Sequence, residues 1–334
     1  MDEKMNKDGF FDHKENNQNT TIAETSSWKS ITVDVIIPTF RSDDKLNELI
    51  KMLYKQTKLP RSVIILHTQE YEGQPQPLPD IKDSNITVVP IDKNEFDHGG
   101  TRRYGADLSD ADILMFMTQD AVPEDQYLIE KLIAPYEDNF VAATYGRQLP
   151  KRNDTILEKY TRSFNYPKTS RMKSKEDIAE LGIKTFFCSN VCATYRNKVY
   201  QELGGFVKHT IFNEDMIMAF SIIRGGYKIA YAADALVVHS HHYTYWQQFT
   251  RNFDLGVSHK QYEELFLTVK SETEGVKLVK QTMQYLCKHK KYWLIPDLIL
   301  TSAFKYAGYR FGLHYKKLPK PWVIRFSMYK AYWK

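Results

Sequence analysis

Short apolar runs alternate along the chain with charged segments whose apolar residues recur at helical spacing. The run Val33–Pro38 (VDVIIP) is mostly β-branched and ends at a proline, which is typical of a buried strand. In the following segment, 43–57, Leu46, Leu49 and Leu53 recur at helical spacing behind an acidic first turn. The pattern predicts a strand followed by a helix.

The same alternation continues to about residue 240, and two further helical segments follow it. It predicts strands at Val63–Leu66, Ile86–Val89, Ile113–Met117, Phe140–Thr144 and Tyr227–His239, and helices at Gly100–Ser109, Asp125–Tyr136, Lys198–Leu203, Glu214–Ile223, 244–260 and 276–290. Such an order favours an α/β, Rossmann-like fold, with a mostly parallel sheet flanked by helices. Residues 146–185 lack periodicity and are predicted to be an excursion that covers the site.

Candidate chemistry follows the ends of predicted strands, where ligands of such sheets bind. Asp120 comes directly after the apolar run 113–117, so its carboxylate could hold a hard cation that bridges phosphates, or could cap the next helix. The adjacent acids of FNEDM (212–216) open a helix, and only one of them can share a given face. Asp215 is the candidate that projects into a cleft as a general base.

Histidines and glycines complete the candidate site. The segment VVHSHH brings His239, His241 and His242 to a strand end, where metal ligation and a structural role are both open. The loop FDHGGTRRYGAD (96–107) offers Gly99 and Gly100 for close backbone approach, and Arg102 with its neighbour Arg103 for phosphate charge. The loop is not GxGxxG, which excludes a typical dinucleotide dehydrogenase.

The net charge of +5 is unevenly distributed. Residues 276–334 carry 13 Lys and Arg against one acid, Asp297, a net of +12, whereas residues 1–275 carry 33 against 40 acids, a net of −7. Aromatic residues including Trp293 and Trp322 lie among these C-terminal lysines. This composition favours an anionic membrane surface as partner, with a helical lid second and nucleic acid a distant third.

No stretch reaches the roughly 18 uncharged apolar residues of a membrane-spanning helix, and the polar N-terminal segment has no signal-peptide core. We therefore expect a cytoplasmic protein, peripheral at the inner face of the cell membrane. The predicted organisation is a polar tail at 1–30, a catalytic domain at 31–260 and a basic helical region at 261–334. A body truncated near Gly275 is expected to stay folded.

The motifs together resemble a known family. VDVIIPTF, HGGTRR, TQDAVP, GGF followed by FNED, and HSHH followed by QQFTRN occur in the order seen in inverting family-two glycosyltransferases of the GT-A fold. The resemblance is strongest to the bacterial rhamnosyltransferase branch, and it is carried by the segments FDHGGTR, FMTQDA, IFNEDM and QQFTRNFDLG. That branch uses dTDP-L-rhamnose to build cell-surface polysaccharide, so a lipid-linked glycan acceptor and no nucleic-acid partner are implied.

The resemblance also implies roles for individual residues. Asp215 would be the catalytic base, and Asp120 with His239 would bind a divalent metal, Mg²⁺ or Mn²⁺. The histidine that binds metal is left open among His239, His241 and His242. Donor contacts would come from Pro38, Thr39, Phe40, Gly99, Gly100, Arg102, Gln119, Asp120, Gln248 and Arg251.

The sequence departs from the family pattern in two places. Thr118 stands where the first acid of the DxD motif is usual, and His67, Thr68 and Gln69 replace an acidic pair after the second strand. A thymidine nucleotide lacks the ribose 2′-hydroxyl, so the loss of an acid that often binds ribose is compatible with a dTDP donor. The alternatives are a UDP-hexose or UDP-hexosamine transferase and a catalytically silent nucleotide-sugar-binding scaffold.

Overall fold

A computed structural model of the chain describes residues 30–70, 85–266 and 272–333. Except for its last residue, the predicted N-terminal tail lies outside these residues. Within them, nine strands form one mixed sheet with the order β3-β2-β1-β4-β8-β6-β9-β5, and β7 pairs with β9. The strands are β1 Val33–Phe40, β2 Ser62–Gln69, β3 Ile86–Asp92, β4 Ile113–Met117, β5 Val122–Pro123, β6 Val141–Leu149, β7 Arg171–Lys173, β8 Cys192–Arg196 and β9 Lys228–Val238.

The parallel half of the sheet contains the apolar runs that the sequence marks as strands. β3, β2, β1 and β4 are parallel, with Ile36 of β1 opposite Ile64 of β2 and Phe116 of β4. β8 is antiparallel to both β4 and β6, whereas β6 and β9 are parallel to each other. The carboxyl ends of β1, β2 and β4 therefore lie at one edge, as a site beyond them requires.

Helices cover both faces of the sheet. One core packs α1 and α3 against it, and a second core packs α6 and α7 against the opposite face. The helices are α1 Asp44–Leu53, α2 His98–Asp107, α3 Leu128–Ile133, α4 Ile156–Asn165, α5 Ile178–Leu181, α6 Asn197–Glu202, α7 Glu214–Arg224, α8 Tyr245–Gln261, α9 Glu263–Phe266, α10 Glu272–Lys288, α11 Ile295–Leu313 and α12 Lys320–Phe326. None of these helices is long and apolar enough to cross a lipid bilayer.

The segment predicted as an excursion is partly sheet. β6 extends to Leu149 and β7 adds a short strand on β9, so the start and middle of 146–185 belong to the sheet. α4 begins at a capping box in which Thr155 and Glu158 exchange hydrogen bonds with each other's backbone. Residues 146–185 therefore carry regular elements next to the candidate site.

The C-terminal helices pack tightly on α8. A Cβ atom at Gly308 of α11 would lie 2.1 Å from the Phe249 carbonyl oxygen, and one at Gly312 would lie 2.1 Å from that of Phe253. The last residues return to the catalytic body: the Tyr329 hydroxyl donates to the Phe96 carbonyl, and Tyr332 stacks on His209 at 4.4 Å. The Asp254 carboxylate accepts from the backbone N–H groups of residues 328 and 329.

These contacts argue against a separable tail. Removal of residues after Gly275 would expose the apolar faces of Phe249 and Phe253 on α8, which pack with Val323 and Phe326 in a third core. It would also remove the partners of the Phe96 loop. The expectation that the truncated body stays folded is therefore not supported by the packing, because α8 and α11 form one hydrophobic unit.

The close crossing of α8 and α11 gives a stability prediction, and Gly275 of α10 provides its control. Gly308→Ala should lower the free energy of unfolding by about 1–3 kcal/mol, because the methyl group collides with backbone that cannot move aside. Gly275→Ala, in α10, meets nothing within 4 Å and should raise stability by about 0.5–1 kcal/mol through helix propensity. Urea titrations of both variants measure the difference, and equal stabilities would contradict the close crossing.

Candidate active site

A carboxylate and two imidazoles converge where β4 and β9 end. The Asp120 Oδ1 atom lies 3.5 Å from His239 Nε2, and Asp120 Oδ2 lies 3.5 Å from His241 Nε2. The two Nε2 atoms are 3.1 Å apart, and one ligand atom from each of the three residues lies within 4.8 Å of the others. The structure thus brings the predicted ligands Asp120 and His239 together and adds His241.

The third histidine of VVHSHH belongs to a different cluster. His242 Nε2 lies 3.2 Å from Asp154 Oδ1, and His242 Nδ1 lies 2.9 Å from Glu158 Oε2. Asp154 also accepts from the Ser240 hydroxyl and from the Lys151 backbone N–H. These bonds fix the histidine segment to the start of α4 and turn His242 away from Asp120.

The donor set of Asp120, His239 and His241 fits a divalent cation. One carboxylate and two neutral imidazoles supply three ligand atoms and leave coordination positions open for phosphate oxygens. Two imidazoles favour Mn²⁺ over Mg²⁺, because Mg²⁺ prefers oxygen ligands.

A pocket of ≈ 420 Å³ opens beside Asp120 and contains two lysines that sequence reasoning missed. Lys45 comes from the start of α1, and Lys151 follows β6 and donates to the Ser240 carbonyl oxygen at 3.0 Å. Burial and the nearby charge of Lys45 lower the pKa of Lys151. Two ammonium groups beside an acid suit a charged phosphate ligand, but no sequence spacing connects residues 45 and 151.

The adjacent acids at the start of α7 have different environments. Glu214 is buried, forms an ion pair with Arg102 Nη1 at 3.2 Å and accepts from the Asn190 side chain. Asp215 is partly exposed and accepts from the Met216 N–H at 2.7 Å and the Asn190 N–H at 3.2 Å. Loss of hydration of the carboxylate among the surrounding protein atoms, reinforced by the charge of Glu214, raises the pKa of Asp215 to about 7. A carboxyl group with this pKa can accept a proton near neutral pH.

The loop at 96–107 makes close contacts within the protein. Asp97 Oδ1 accepts from the Gly99 and Gly100 N–H groups, so a side chain of the protein already caps the start of α2. A Cβ at Gly99 would lie 2.1 Å from the Val207 carbonyl oxygen, and one at Gly100 2.6 Å from that of Lys208. These glycines allow close approach of the protein's own backbone.

Arg102 also makes contacts within the protein, and its side chain is buried. Its Nη1 atom pairs with Glu214 and donates to the His98 carbonyl oxygen. Arg103 donates to the carbonyl oxygens of Gly204 and Phe206. Arg103 therefore joins α2 to the segment before α7, and Arg102 joins α2 to Glu214, the neighbour of Asp215.

Of the donor contacts predicted at the end of β1, Phe40 is the exposed one. Thr39 is buried, and its hydroxyl is bonded to His67 Nδ1 at 2.8 Å, whereas Pro38 is partly buried. The Gln119 amide bonds both the N–H and the carbonyl of Phe40 and therefore holds the strand end. The Phe40 ring is 37% exposed, and its centre lies 5.1 Å from the Arg41 guanidinium carbon and 5.6 Å from Lys93 Nζ.

Arg251 of α8 lies between two aromatic rings. Its guanidinium carbon is 4.8 Å from the Phe212 ring centre and 6.0 Å from that of Tyr243. Tyr243 in turn stacks on His241 at 5.4 Å. Arg251 therefore connects the metal candidate to the segment before Asp215. Gln248, one turn earlier on α8, is partly exposed.

Comparisons with known proteins identify the relatives of the chain. The sequence profile of "Glycosyl transferase family 2" matches residues 34–204. The O-antigen chain rhamnosyltransferase RfbN of Salmonella typhimurium is 40% identical over 90% of this chain and 96% of its own length. WbaN of Salmonella anatum, also an O-antigen chain rhamnosyltransferase, is 41% identical over 90% of this chain and 95% of its own.

A solved structure has a similar fold. It is the mannosyltransferase PcManGT from Pyrobaculum calidifontis in complex with GDP-Man and Mn²⁺. It is 14% identical and superposes with a TM-score of 0.54, covering 85% of this chain and 87% of that one. At this identity the likeness concerns the fold, and the fold agrees with the mixed sheet and flanking helices described above.

Proposed function

The chain belongs to glycosyl transferase family 2, and from this premise we propose that it transfers L-rhamnose from dTDP-L-rhamnose, with inversion, to a lipid-linked glycan in cell-surface polysaccharide synthesis. The family resemblance inferred from the motifs is thus confirmed. The observation that carries the choice of sugar is the 40% identity to RfbN over nearly the whole of both chains.

Asp215 is the base of the proposed reaction. Its carboxylate takes the proton from an acceptor hydroxyl as that oxygen attacks the anomeric carbon, while the bond from that carbon to the diphosphate oxygen breaks. A single displacement inverts the configuration. The raised pKa suits a group that must accept a proton at neutral pH and pass it on after the transfer.

The leaving diphosphate would lie near Asp120. A divalent ion held by Asp120, His239 and His241 would neutralise the charge that develops on it. Lys45 and Lys151 place two further positive charges beside Asp120. The exposed Phe40 ring is the proposed platform for the thymine base, and Gln248 and Arg251 are proposed to lie beside donor and acceptor.

The donor assignment predicts a clear preference. With a lipid-linked acceptor, we expect kcat/KM for dTDP-L-rhamnose to exceed that for UDP-glucose, UDP-galactose and UDP-N-acetylglucosamine by at least about 10-fold. Release of the nucleoside diphosphate, with and without Mn²⁺, measures the preference. Equal or faster turnover of a UDP-sugar would contradict the proposed donor.

Exposed apolar side chains in the C-terminal region support a further part of the proposal, that the protein attaches to an anionic membrane. Ile299 and Tyr306 are seven residues apart on α11 and are 53% and 63% exposed, on the face opposite Gly308. Trp293 and Trp322 are 66% and 56% exposed. Exposed basic residues accompany them, namely Lys288, Lys290, Lys316, Lys317, Lys320 and Arg325. Interfacial aromatics with lysines suit anionic headgroups.

Liposome pelleting tests this attachment. We expect the full chain to pellet with anionic vesicles at low salt and to be partly released at high salt. The double variant Trp293→Ser/Trp322→Ser should bind about 10-fold or more weakly, because two large apolar groups no longer enter the interface. Phe140→Ser, which removes a 61% exposed aromatic outside the C-terminal region, is the control. Equal binding to neutral and anionic vesicles would overturn the electrostatic part.

A further inference from the structure

Gln148, in β6, lies at the centre of a buried hydrogen-bond network next to the metal candidate. Its side chain is 2% exposed. The amide oxygen Oε1 is bonded to Arg162 Nη1 of α4 and lies 3.0 Å from His239 Nδ1. The amide nitrogen Nε2 faces the hydroxyl groups of Tyr166 and Ser189. Sequence analysis gave no role to any of these residues except His239.

Arg162 fixes which end of the amide faces the histidine. A guanidinium carries only donors, so the atom of Gln148 that meets Arg162 must be the acceptor Oε1. The reverse orientation would direct the NH₂ group at the guanidinium and leave buried donors facing each other. The hydroxyl groups of Tyr166 and Ser189 can accept from Nε2, so the observed orientation satisfies both ends of the amide.

The amide orientation in turn determines the protonation site of His239. Because Oε1 has no hydrogen to give, the hydrogen bond at 3.0 Å requires a proton on His239 Nδ1. In the neutral ring the other nitrogen, Nε2, then carries the lone pair. Nε2 is the atom that lies 3.5 Å from Asp120 Oδ1 and 3.1 Å from His241 Nε2.

We propose that Gln148, oriented by Arg162, is a positioning residue that holds His239 as the Nδ1–H tautomer and directs its Nε2 lone pair at the divalent cation. The outer hydrogen bond of a ligating histidine fixes its ring and its tautomer, and its loss commonly weakens metal binding 10–100-fold. This inference rests on the proposed function for its metal, whereas the tautomer is a property of the chain alone.

The proposal also gives the segment 146–185 a function. β6 supplies Gln148, and α4 supplies Arg162 one turn before its end. Without a metal, the 3.1 Å contact between the two Nε2 atoms requires His241 to donate, because His239 has no proton there. Metal binding at both nitrogens therefore requires a change of tautomer at His241 but none at His239.

The first experiment reads the tautomer in the metal-free, donor-free protein. In ¹⁵N-histidine-labelled full-length enzyme, with His239 assigned by comparison with His239→Gln, long-range ¹H–¹⁵N spectra should show a protonated Nδ1 and an unprotonated Nε2. Gln148→Glu keeps an acceptor and should preserve the pattern. Gln148→Met removes the acceptor and should give a mixture or the Nε2–H form. A protonated Nε2 in the wild type, or no effect of Gln148→Met, would overturn the proposal.

The second experiment titrates the same proteins with Mn²⁺ alone by calorimetry. Gln148→Met should bind Mn²⁺ about 10–100-fold more weakly than the wild type, and Gln148→Glu within a few-fold of it. Gln56→Met is the matched control, since Gln56 is 4% exposed and bonds backbone groups of residues 52, 125 and 129. It should lose stability but keep Mn²⁺ affinity. Unchanged affinity in Gln148→Met would refute positioning for the metal.

The two readouts separate the possible failures. If the wild type shows the Nδ1–H tautomer but binds no Mn²⁺, the proposed metal role fails, and with it the positioning for a cation. If the wild type binds Mn²⁺ and the tautomer does not depend on Gln148, the proposed function stands and the inference is wrong. Circular dichroism of each variant verifies folding, and Gln148→Glu keeps the test valid if Gln148→Met is unfolded.

Discussion

Asp215→Asn should bind the donor as tightly as the wild type and transfer sugar about 10³-fold more slowly. The substitution keeps size and burial but removes the only group that we place to accept the acceptor proton, and general-base catalysis contributes about 10²–10⁴-fold. Donor affinity from calorimetry and kcat from single-turnover transfer measure the two effects separately. Asp215→Ala should behave in the same way if the Asn amide disturbs the Met216 and Asn190 N–H contacts.

The pH profile adds a second readout for Asp215. The group is a base only when deprotonated, and its pKa is raised to about 7, so kcat/KM of the wild type should fall about 10-fold per pH unit below pH 7 and level off above it. The fall of kcat/KM below pH 7 should be absent from Asp215→Asn. Asp234→Asn, an exposed acid on β9, is the control and should keep both rate and profile. If Asp215→Asn transferred sugar at a rate within 10-fold of the wild-type rate, Asp215 would not be the base.

Asp120→Asn should abolish the metal-dependent part of donor binding. The variant keeps the shape of the side chain but loses the negative charge that faces His239 and His241, so Mn²⁺ and the donor should bind at least about 100-fold more weakly. Calorimetry with donor, in Mn²⁺ and in chelator, measures this loss.

The control for Asp120 lies five residues further along the chain. Asp125 pairs with Lys131 at 2.8 Å, outside the cluster of Asp120 and the histidines, so Asp125→Asn should bind donor and metal normally. Donor affinity in Asp120→Asn that responds to Mn²⁺ as strongly as in the wild type would show that the ion binds elsewhere.

Elements with a strong local signal could be predicted from the sequence. β4, an uninterrupted apolar pentapeptide, has the predicted bounds Ile113–Met117, and α7 begins at the predicted Glu214. The helix predicted at Asp125–Tyr136 is shorter, since α3 begins only at Leu128, after β5 and a bonded turn at Asp125. Helical periodicity marks the buried face but not the residue where the chain first turns into a helix.

The partners of the site residues could not be predicted, because they depend on contacts between distant segments. Asp120 and His239 are recognisable by motif, whereas Lys45, Lys151 and Gln148 carry no local signal. Gly99, Gly100 and Arg102 were predicted as donor contacts because a glycine-rich loop with arginines is typical of phosphate sites. Here the same chemistry binds the protein's own carboxylates, Asp97 at the helix start and Glu214 at the guanidinium.

The return of Tyr329 to Phe96 restricts how this enzyme can be recombined with its relatives. A chimera that replaces the C-terminal third would join Tyr329 of one parent to the Phe96 loop of the other. It would also have to keep α8 and α11 from the same parent, because Gly308 and Gly312 fit the backbone of α8 without space for a methyl group. Useful crossover points therefore lie before α8, with residues 96–98 and 209 transferred together with the C-terminal segment.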